Sequence, residues 1–257
     1  MTGERLVGAP AYSESMPPSR RAADVIIEGR GLSIADVVAV ARGHAGVRLG
    51  NAARAAMERS AALVDGFVAG DTPVYGVTTG FGSLAGTVIP AERTAKLQVA
   101  LVRSHAAGMG PTVEIEVSRA MLLLRARSLA MGFSGARPEL VDLQVAMLNS
   151  GLTPVVREHG SLGASGDLAP LAHCALALIG EGEVWGVDDV VMPSGDALRQ
   201  AGLRPVTLRA KEGLALINGT DGILGMLCLA LHDLDGLLRL ADIAAAMTIE
   251  GVLGTDR

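Results

Sequence analysis

Aromatic side chains are nearly missing from this chain, with one tryptophan, two tyrosines and three phenylalanines among 257 residues. The 49% hydrophobic content is therefore carried by Ala, Val, Leu, Ile and Met, a composition that suits close helix packing rather than a β-sandwich. Cysteine is scarce as well. Cys174 and Cys228 both fall in apolar helical patterns and read as buried free thiols, without metal or redox spacing. The histidines His44, His105, His159, His173 and His232 show no ligand spacing for zinc, so no metal is expected. Net charge is −5, and no run of Lys and Arg is long enough for a nucleic-acid surface. No apolar run reaches transmembrane length, and the N-terminus lacks a continuous apolar signal core. The expectation is a cytoplasmic protein with neither nucleic acid nor membrane as partner.

The length allows one or two domains around a large core. Residues 1–22 are polar and rich in Pro and Ser, as in Met16-Pro17-Pro18-Ser19, and read as a disordered leader. Val25-Ile26-Ile27 reads as a short strand. A helix follows from Ser33, whose side chain and Asp36 suit a reciprocal cap. Asn51 to Ala69 is Ala-rich and helical up to Gly70 and Pro73. Val74 to Pro90 is a loop rich in Gly and Thr. Further helices are predicted near 91–107, 112–132, 138–149 and 167–180. A long apolar pattern from Asp221 to Leu253 includes Leu229, Leu231, Leu234, Leu237, Leu238, Leu240, Ile243, Met247 and Ile249. A helix that apolar should be buried, in a bundle or against other subunits. The fold class is mainly α, a helical bundle with a small mixed α/β N-terminal region. Residues 23–110 are expected to form an N-terminal region that holds the Gly- and Thr-rich loop, and 111–257 a helical bundle; by the family resemblance given below, that loop is the active-site loop and the bundle the start of a longer central one.

The stretch Gly160-Ser-Leu-Gly-Ala-Ser-Gly-Asp-Leu-Ala169 carries the chemistry. Gly166 has no Cβ, so its amide nitrogen can approach the carbonyl carbon of Ala164 at little steric cost. Attack there closes a five-membered ring and expels water. Loss of a second water from Ser165 leaves an exocyclic double bond. The product of Ala164-Ser165-Gly166 is a methylidene-imidazolone (4-methylideneimidazole-5-one), an electrophile made from the backbone. No natural side chain is a strong electrophile, so a protein that needs one borrows a cofactor or builds it.

The segment from Gly151 to His173 closely resembles the signature of the aromatic amino acid ammonia-lyases, the family of the histidine and phenylalanine ammonia-lyases. Three more blocks agree in order and spacing: Val74-Tyr-Gly-Val-Thr-Thr-Gly-Phe-Gly82; Leu97-Gln98 with Val102-Arg-Ser-His-Ala-Ala-Gly108; and Lys211-Glu-Gly-Leu-Ala-Leu-Ile-Asn-Gly-Thr220. The resemblance spans roughly residues 24–257 and implies the first half of the ammonia-lyase fold, since proteins resembling this one are about twice as long. It also implies a homotetramer whose active sites form between subunits.

What the resemblance implies chemically is elimination of ammonia from L-histidine to give trans-urocanate, a step in histidine catabolism. The leaving ammonium needs an electron sink, which the ring supplies, and the β-proton needs a positioned base. Tyr75 takes the role of that base; residue type alone suggests a buried core tyrosine, but the flanking Gly76, Gly80 and Gly82 favour a flexible functional loop. Ser104-His105 matches the position where histidine-using members carry Ser-His, so His105 is the substrate-recognition residue. Its plainer reading is a satisfied helix-terminal histidine. Asn218, otherwise a helix-ending asparagine, faces the prosthetic group or substrate by resemblance. Asp167 is a helix cap by position and assists cyclisation by resemblance. Arg157 stands where relatives commonly have proline, which alters the loop's stiffness but not the ring-forming atoms.

Two motif matches fail. Gly80-Phe-Gly-Ser-Leu-Ala85 fits a dinucleotide fingerprint but leads into Gly86-Thr-Val-Ile-Pro90 rather than a helix, so no nucleotide cofactor is expected. Gly163-Ala-Ser-Gly-Asp167 is no nucleophile elbow, because Asp167 replaces its last glycine. Two other readings stay open: an aminomutase that uses the same electrophile, or another aromatic amino acid lyase; and a fragment or interaction subunit that keeps the motifs but does not turn over alone.

Overall fold

The computed structural model describes residues 24–29, 31–70, 72–82, 85–186 and 189–255; the expected leader, residues 1–22, lies outside the described residues. The core is organised around α4 (Ile115–Ala130), in which every residue from Val117 to Ala126 is buried. Such a helix has no polar face and must be surrounded. It packs against α1 (Ile34–Ala41), α5 (Pro138–Asn149), the start of α9 (Asp221–Gly251) and, less extensively, α2 (Asn51–Ala69). Leu122, Leu123 and Leu129 are among its fully buried side chains, each contributing about 1.5–3 kcal/mol by removal from water. Small residues set the α4–α9 spacing: a Cβ on Gly225 would lie 3.1 Å from that of Ala120.

Two buried arginines interrupt the apolar part of this helix. Arg119, 1% exposed, donates to the carbonyls of Val40 at 3.0 Å and Leu148 at 3.4 Å, near the C-terminal ends of α1 and α5. Those ends carry partial negative charge and unpaired acceptors, which suits a buried cation. Burial pulls its pKa down to about 10, still charged at neutral pH. Arg125 belongs to the candidate site.

The helix punctuation is local. Ser33 and Asp36 form the expected reciprocal cap on α1, and Pro138 opens α5 at its first position. The helices predicted near 91–107, 112–132 and 167–180 are shorter: α3 (Ala91–His105), α4 and α6 (Leu168–Leu178). The strand Val25–Ile27 (β1) is present and pairs in parallel with β2 (Val47–Leu49). The amide of Asn149 pairs with both backbone groups of Val47, at 2.8 and 2.9 Å, extending this ribbon where a third strand would lie.

Other short strands have no counterpart in the sequence reading. β4 (Thr153–Pro154), β6 (Glu183–Trp185) and β7 (Val191–Pro193) form an antiparallel sheet, followed by α7 (Ser194–Gln200) and α8 (Glu212–Ile217). More consequential is β3 (Met109–Thr112) pairing antiparallel with β5 (Arg157–His159), Met109 opposite His159. That pairing lays the chain leaving α3 beside the glycine-rich segment that follows β5.

Only the start of α9 is buried, at Asp221, Gly222, Gly225, Cys228 and Leu229. Leu231, Leu234, Leu237, Leu238, Leu240, Ile243, Met247 and Ile249 are exposed on the single chain, because α4 and α1 cover only the first turns of α9; of the two expected modes of burial, a bundle within this chain does not provide it. The stretch Glu212–Gly251 is also long and apolar enough to cross a membrane by length and composition alone, which corrects the reading that no run reaches that length. A core helix meets the same criterion.

Candidate active site

The tripeptide Ala164-Ser165-Gly166 lies between β5 and α6. Gly166 is buried with φ +134°, a conformation L side chains rarely adopt, and a Cβ there would overlap the carbonyl oxygen of Gly219. That oxygen accepts the amide hydrogen of the next residue, Asp167, at 2.6 Å. Neither the amide nitrogen of Gly166 nor the carbonyl of Ala164 enters any hydrogen bond among the described residues. Buried backbone groups are ordinarily paired, so the nitrogen that would close the ring is left uncommitted. This arrangement fits the prosthetic group that the sequence implies.

Asp167 is 1% exposed and makes no capping bond to α6, the helix it precedes. The expectation of a cap is met on a different helix. Its Oδ2 accepts the amides of Gly222 and Ile223, both at 2.9 Å, in the first turn of α9, and its Oδ1 accepts the hydroxyl of Ser161 at 2.7 Å. A carboxylate at a helix N-terminus satisfies orphan donors and complements the helix dipole. The same side chain thus ties both ends of the glycine-rich segment to α9.

The turn Asn218-Gly219-Thr220 is held from its other side by Arg125. The guanidinium donates to the carbonyls of Asn218 at 2.9 Å and Ala215 at 3.2 Å. Its Nε lies 3.1 Å from Oδ2 of Asp221, both side chains being almost fully buried. Ser128 donates to the other Asp221 oxygen at 3.0 Å. Burial pushes the two pKa values toward the neutral forms, Arg125 down and Asp221 up, and the pairing opposes both shifts. A Cβ on Gly219 would come 2.5 Å from Asp221 Oδ2, so the turn needs glycine. Asn218 itself is exposed at the C-cap of α8, beside Gly219 but outside the cleft that Ser165 lines. Glu212 anchors the start of α8 through a bidentate pair with Arg137, at 2.7 and 2.9 Å.

A cleft of about 350 Å³ is lined on one side by Ser104, His105 and Ala107, and on the other by Gly160, Leu162, the Ala164–Gly166 tripeptide, Leu168 and Ala169. The structure therefore brings His105 and Ser165 together. His105 Nδ1 lies 2.9 Å from the carbonyl oxygen of Leu101 and 3.1 Å from Ser104 Oγ. A carbonyl only accepts, so Nδ1 carries the hydrogen and Nε2 is the acceptor in the neutral ring. The helix-terminal reading is thus half right: one nitrogen is satisfied within α3, and the other is left over.

Tyr75 is not part of that cleft. It is 56% exposed, which overturns the buried-core reading of its residue type. It sits in a turn closed by Val77 and Thr78 amides on the Val74 carbonyl, both at 3.0 Å. Its hydroxyl accepts the Gly82 amide at 3.4 Å, and its ring meets Phe81 edge to face. It lines a separate cleft of about 300 Å³ with Val64, Phe67, Phe133 and Lys211. Lys211 takes a left-handed backbone, φ 68°, and donates to the Ser134 carbonyl at 2.5 Å; burial lowers its pKa.

With this geometry in place, the comparisons are specific. The family model for aromatic amino acid lyases matches residues 32–257. The chain belongs to the aromatic amino acid lyase family. It is 54% identical over 233 residues to a histidine ammonia-lyase of Streptomyces avermitilis, covering 91% of this chain and 46% of that protein. The fold is similar to the crystal structure of histidine ammonia-lyase from Trypanosoma cruzi, with a TM-score of 0.84 at 37% identity, covering 90% of this chain and 44% of that one. Tyrosine aminomutase from Streptomyces globisporus gives the same TM-score and identity over 90% of this chain and 43% of that one. The chain therefore spans just under half the length of these relatives, matching the first half of the ammonia-lyase fold.

Arg125, Asp221, Ser161 and Gly219 hold the candidate site together, yet sequence reasoning does not single them out. Arg125 had a signal, as a lone charge in Met121-Leu-Leu-Leu-Arg-Ala126, which marks a buried pair. Gly219 and Ser161 had none, because their partners are brought in by tertiary contact.

Proposed function

We propose that this chain is the electrophile-forming half of a histidine ammonia-lyase, acting on L-histidine to give trans-urocanate and ammonia. One observation carries the reading. Gly166 is buried with its amide nitrogen uncommitted, and the tripeptide it ends shares a cleft with His105. In ring closure that nitrogen bonds to the Ala164 carbonyl carbon, whose oxygen leaves as water; Ser165 then loses its hydroxyl and Cα hydrogen as a second water. Asp167 assists by donating its own amide, the one that follows Gly166, to the Gly219 carbonyl. When present, the 4-methylideneimidazole-5-one ring supplies the electron sink for the leaving amine.

The remaining roles fall to side chains. His105 Nε2 accepts the imidazole N–H of the substrate, which favours histidine over a phenyl ring with no donor. Asn218 binds substrate or ring beside Gly219. Tyr75 removes the β-proton; as it lines a different cleft from Ser165, the working site takes it from another copy in a cytoplasmic homotetramer. The second half, present in the relatives, completes the substrate pocket.

The test is the mass of the tryptic peptide Glu158–Arg199, with Ser165→Ala as control. Loss of two waters in the wild-type peptide alone is the expected result. An unmodified peptide from chain assembled with a second-half polypeptide would sink the reading.

A further inference from the structure

The two walls of the His105–Ser165 cleft come from segments distant in sequence, and a half-buried imidazole joins them. Gly108 lies just before β3, so its amide has no strand partner. That amide donates instead to Nε2 of His173, on α6, at 3.2 Å. Accepting at Nε2 requires the neutral ring with its hydrogen on Nδ1. Burial, followed by the positive charge of Arg157, lowers the His173 pKa and keeps that ring neutral. The contact is close on every side. A Cβ on Gly108 would lie 2.9 Å from His173 Nε2 and 3.1 Å from Arg157 Cβ, and a Cβ on Gly160 would lie 3.1 Å from both Gly108 Cα and Ala169 Cβ.

Between Gly108 and the substrate-side histidine there is little slack. α3 ends at His105 with Ala106 as its C-cap, and the Ala107 amide folds back onto the His105 carbonyl at 2.8 Å. A shift at Gly108 is therefore passed to His105 across one tight turn. On the other side, α6 begins directly after the ring-forming segment.

We propose that His173 is a positioning residue for substrate recognition: its imidazole bolts Gly108 to α6 and thereby sets the separation of His105 from Ala164–Gly166. This rests on the reading of His105 and the tripeptide given above. His173 touches neither substrate nor ring, and acts through the Gly108 turn.

Two variants test it. His173→Leu removes the acceptor at similar bulk, whereas His173→Gln keeps an acceptor oxygen near the position of Nε2. In the chain alone, nitrogen NMR should find His173 in the Nδ1–H form. The Gly108 amide should exchange slowly in wild type and in His173→Gln, and at least about tenfold faster in His173→Leu. In chain assembled with a second-half polypeptide, His173→Leu should raise KM for L-histidine about tenfold with kcat changed less than about threefold, and His173→Gln should restore most of it. Equal KM in all three proteins, or Leu and Gln variants that behave alike, would overturn the proposal. If wild type neither loses two waters nor turns over histidine, the proposed function fails. The Gly108 exchange rates then judge the bolt separately, and no difference between the Leu variant and wild type refutes it.

Discussion

Replacing Arg125 by methionine removes one partner of a buried ion pair and leaves Asp221 behind. Both side chains are about nine-tenths or more buried, so water cannot take over the lost interaction. Removing one member of such a pair costs about 3–5 kcal/mol, chiefly because the remaining charge is uncompensated. Asp221 keeps Ser128 as a partner, which limits the cost, but the Ala215 and Asn218 carbonyls lose their donor. Against a total of about 5–15 kcal/mol for a folded domain, Arg125→Met should leave the chain marginal.

The reasoning also fixes the double variant. The directions of both pKa shifts say that burial is unfavourable for each charge. Arg125→Met with Asp221→Asn removes both charges and should therefore cost less than the two single changes added together, by about 1–3 kcal/mol. Urea unfolding of the four proteins, followed by circular dichroism, measures the cycle. A cost below about 1 kcal/mol for Arg125→Met, or strict additivity, would refute the account of the clamp.

Asp167→Ala should destabilise the chain by about 2–4 kcal/mol, combining a lost helix cap with a buried Gly222 amide left without its acceptor; hydrogen exchange should rise first at Gly222 and Ile223. Cys174, whose thiol burial pushes up to about 12 with the Asp221 charge adding to it, should resist a thiol reagent near neutral pH and react once urea is added. His44 and His173 both have lowered pKa values, with desolvation the leading cause. As pH falls, the unfolded chain takes up those protons before the folded one does. Their contribution is present above the unfolded pKa and is lost as pH falls through the folded values. The urea midpoint should drop between about pH 7.5 and about pH 5.5, and less steeply in His173→Gln. A parallel slope in that variant would contradict the assignment.

The parts of the fold legible in the sequence were those punctuated locally. Gly70 and Pro138 mark the end of α2 and the start of α5, and Ser33 with Asp36 marks α1. The three-residue strands were not legible, apart from Val25–Ile27, because so short a strand is defined by its partner rather than by its own pattern. The proposal of a ring from Ala164-Ser165-Gly166 could be framed from sequence because the atoms it needs lie in adjacent residues. Asp167 was readable as a cap but not as the cap of α9, since the helix that needs it begins more than fifty residues later. For Tyr75, residue type alone points to a core, whereas the flanking Gly76, Gly80 and Gly82 point to a loop, and the exposed side chain agrees with the glycines.

The separation of Tyr75 from Ser165 leads to the sharpest test of assembly. The two residues line clefts with no lining residue in common. A chain that supplies its own Tyr75 to its own Ser165 and a chain that borrows Tyr75 from a neighbour differ in one observable. In the first case, mixing Tyr75→Phe with Ser165→Ala chains, each assembled with a second-half polypeptide, gives no site with both intact groups. In the second, some sites pair the intact tyrosine of one copy with the intact ring of another, and activity returns from two inactive parents. Return of urocanate formation, read by its near-ultraviolet absorbance after the mixture is unfolded and reassembled, is the expected outcome. Continued inactivity in an assembly shown by mass to contain both chains would place base and electrophile on one chain, and would require the Tyr75 loop to move to the Ser165 cleft.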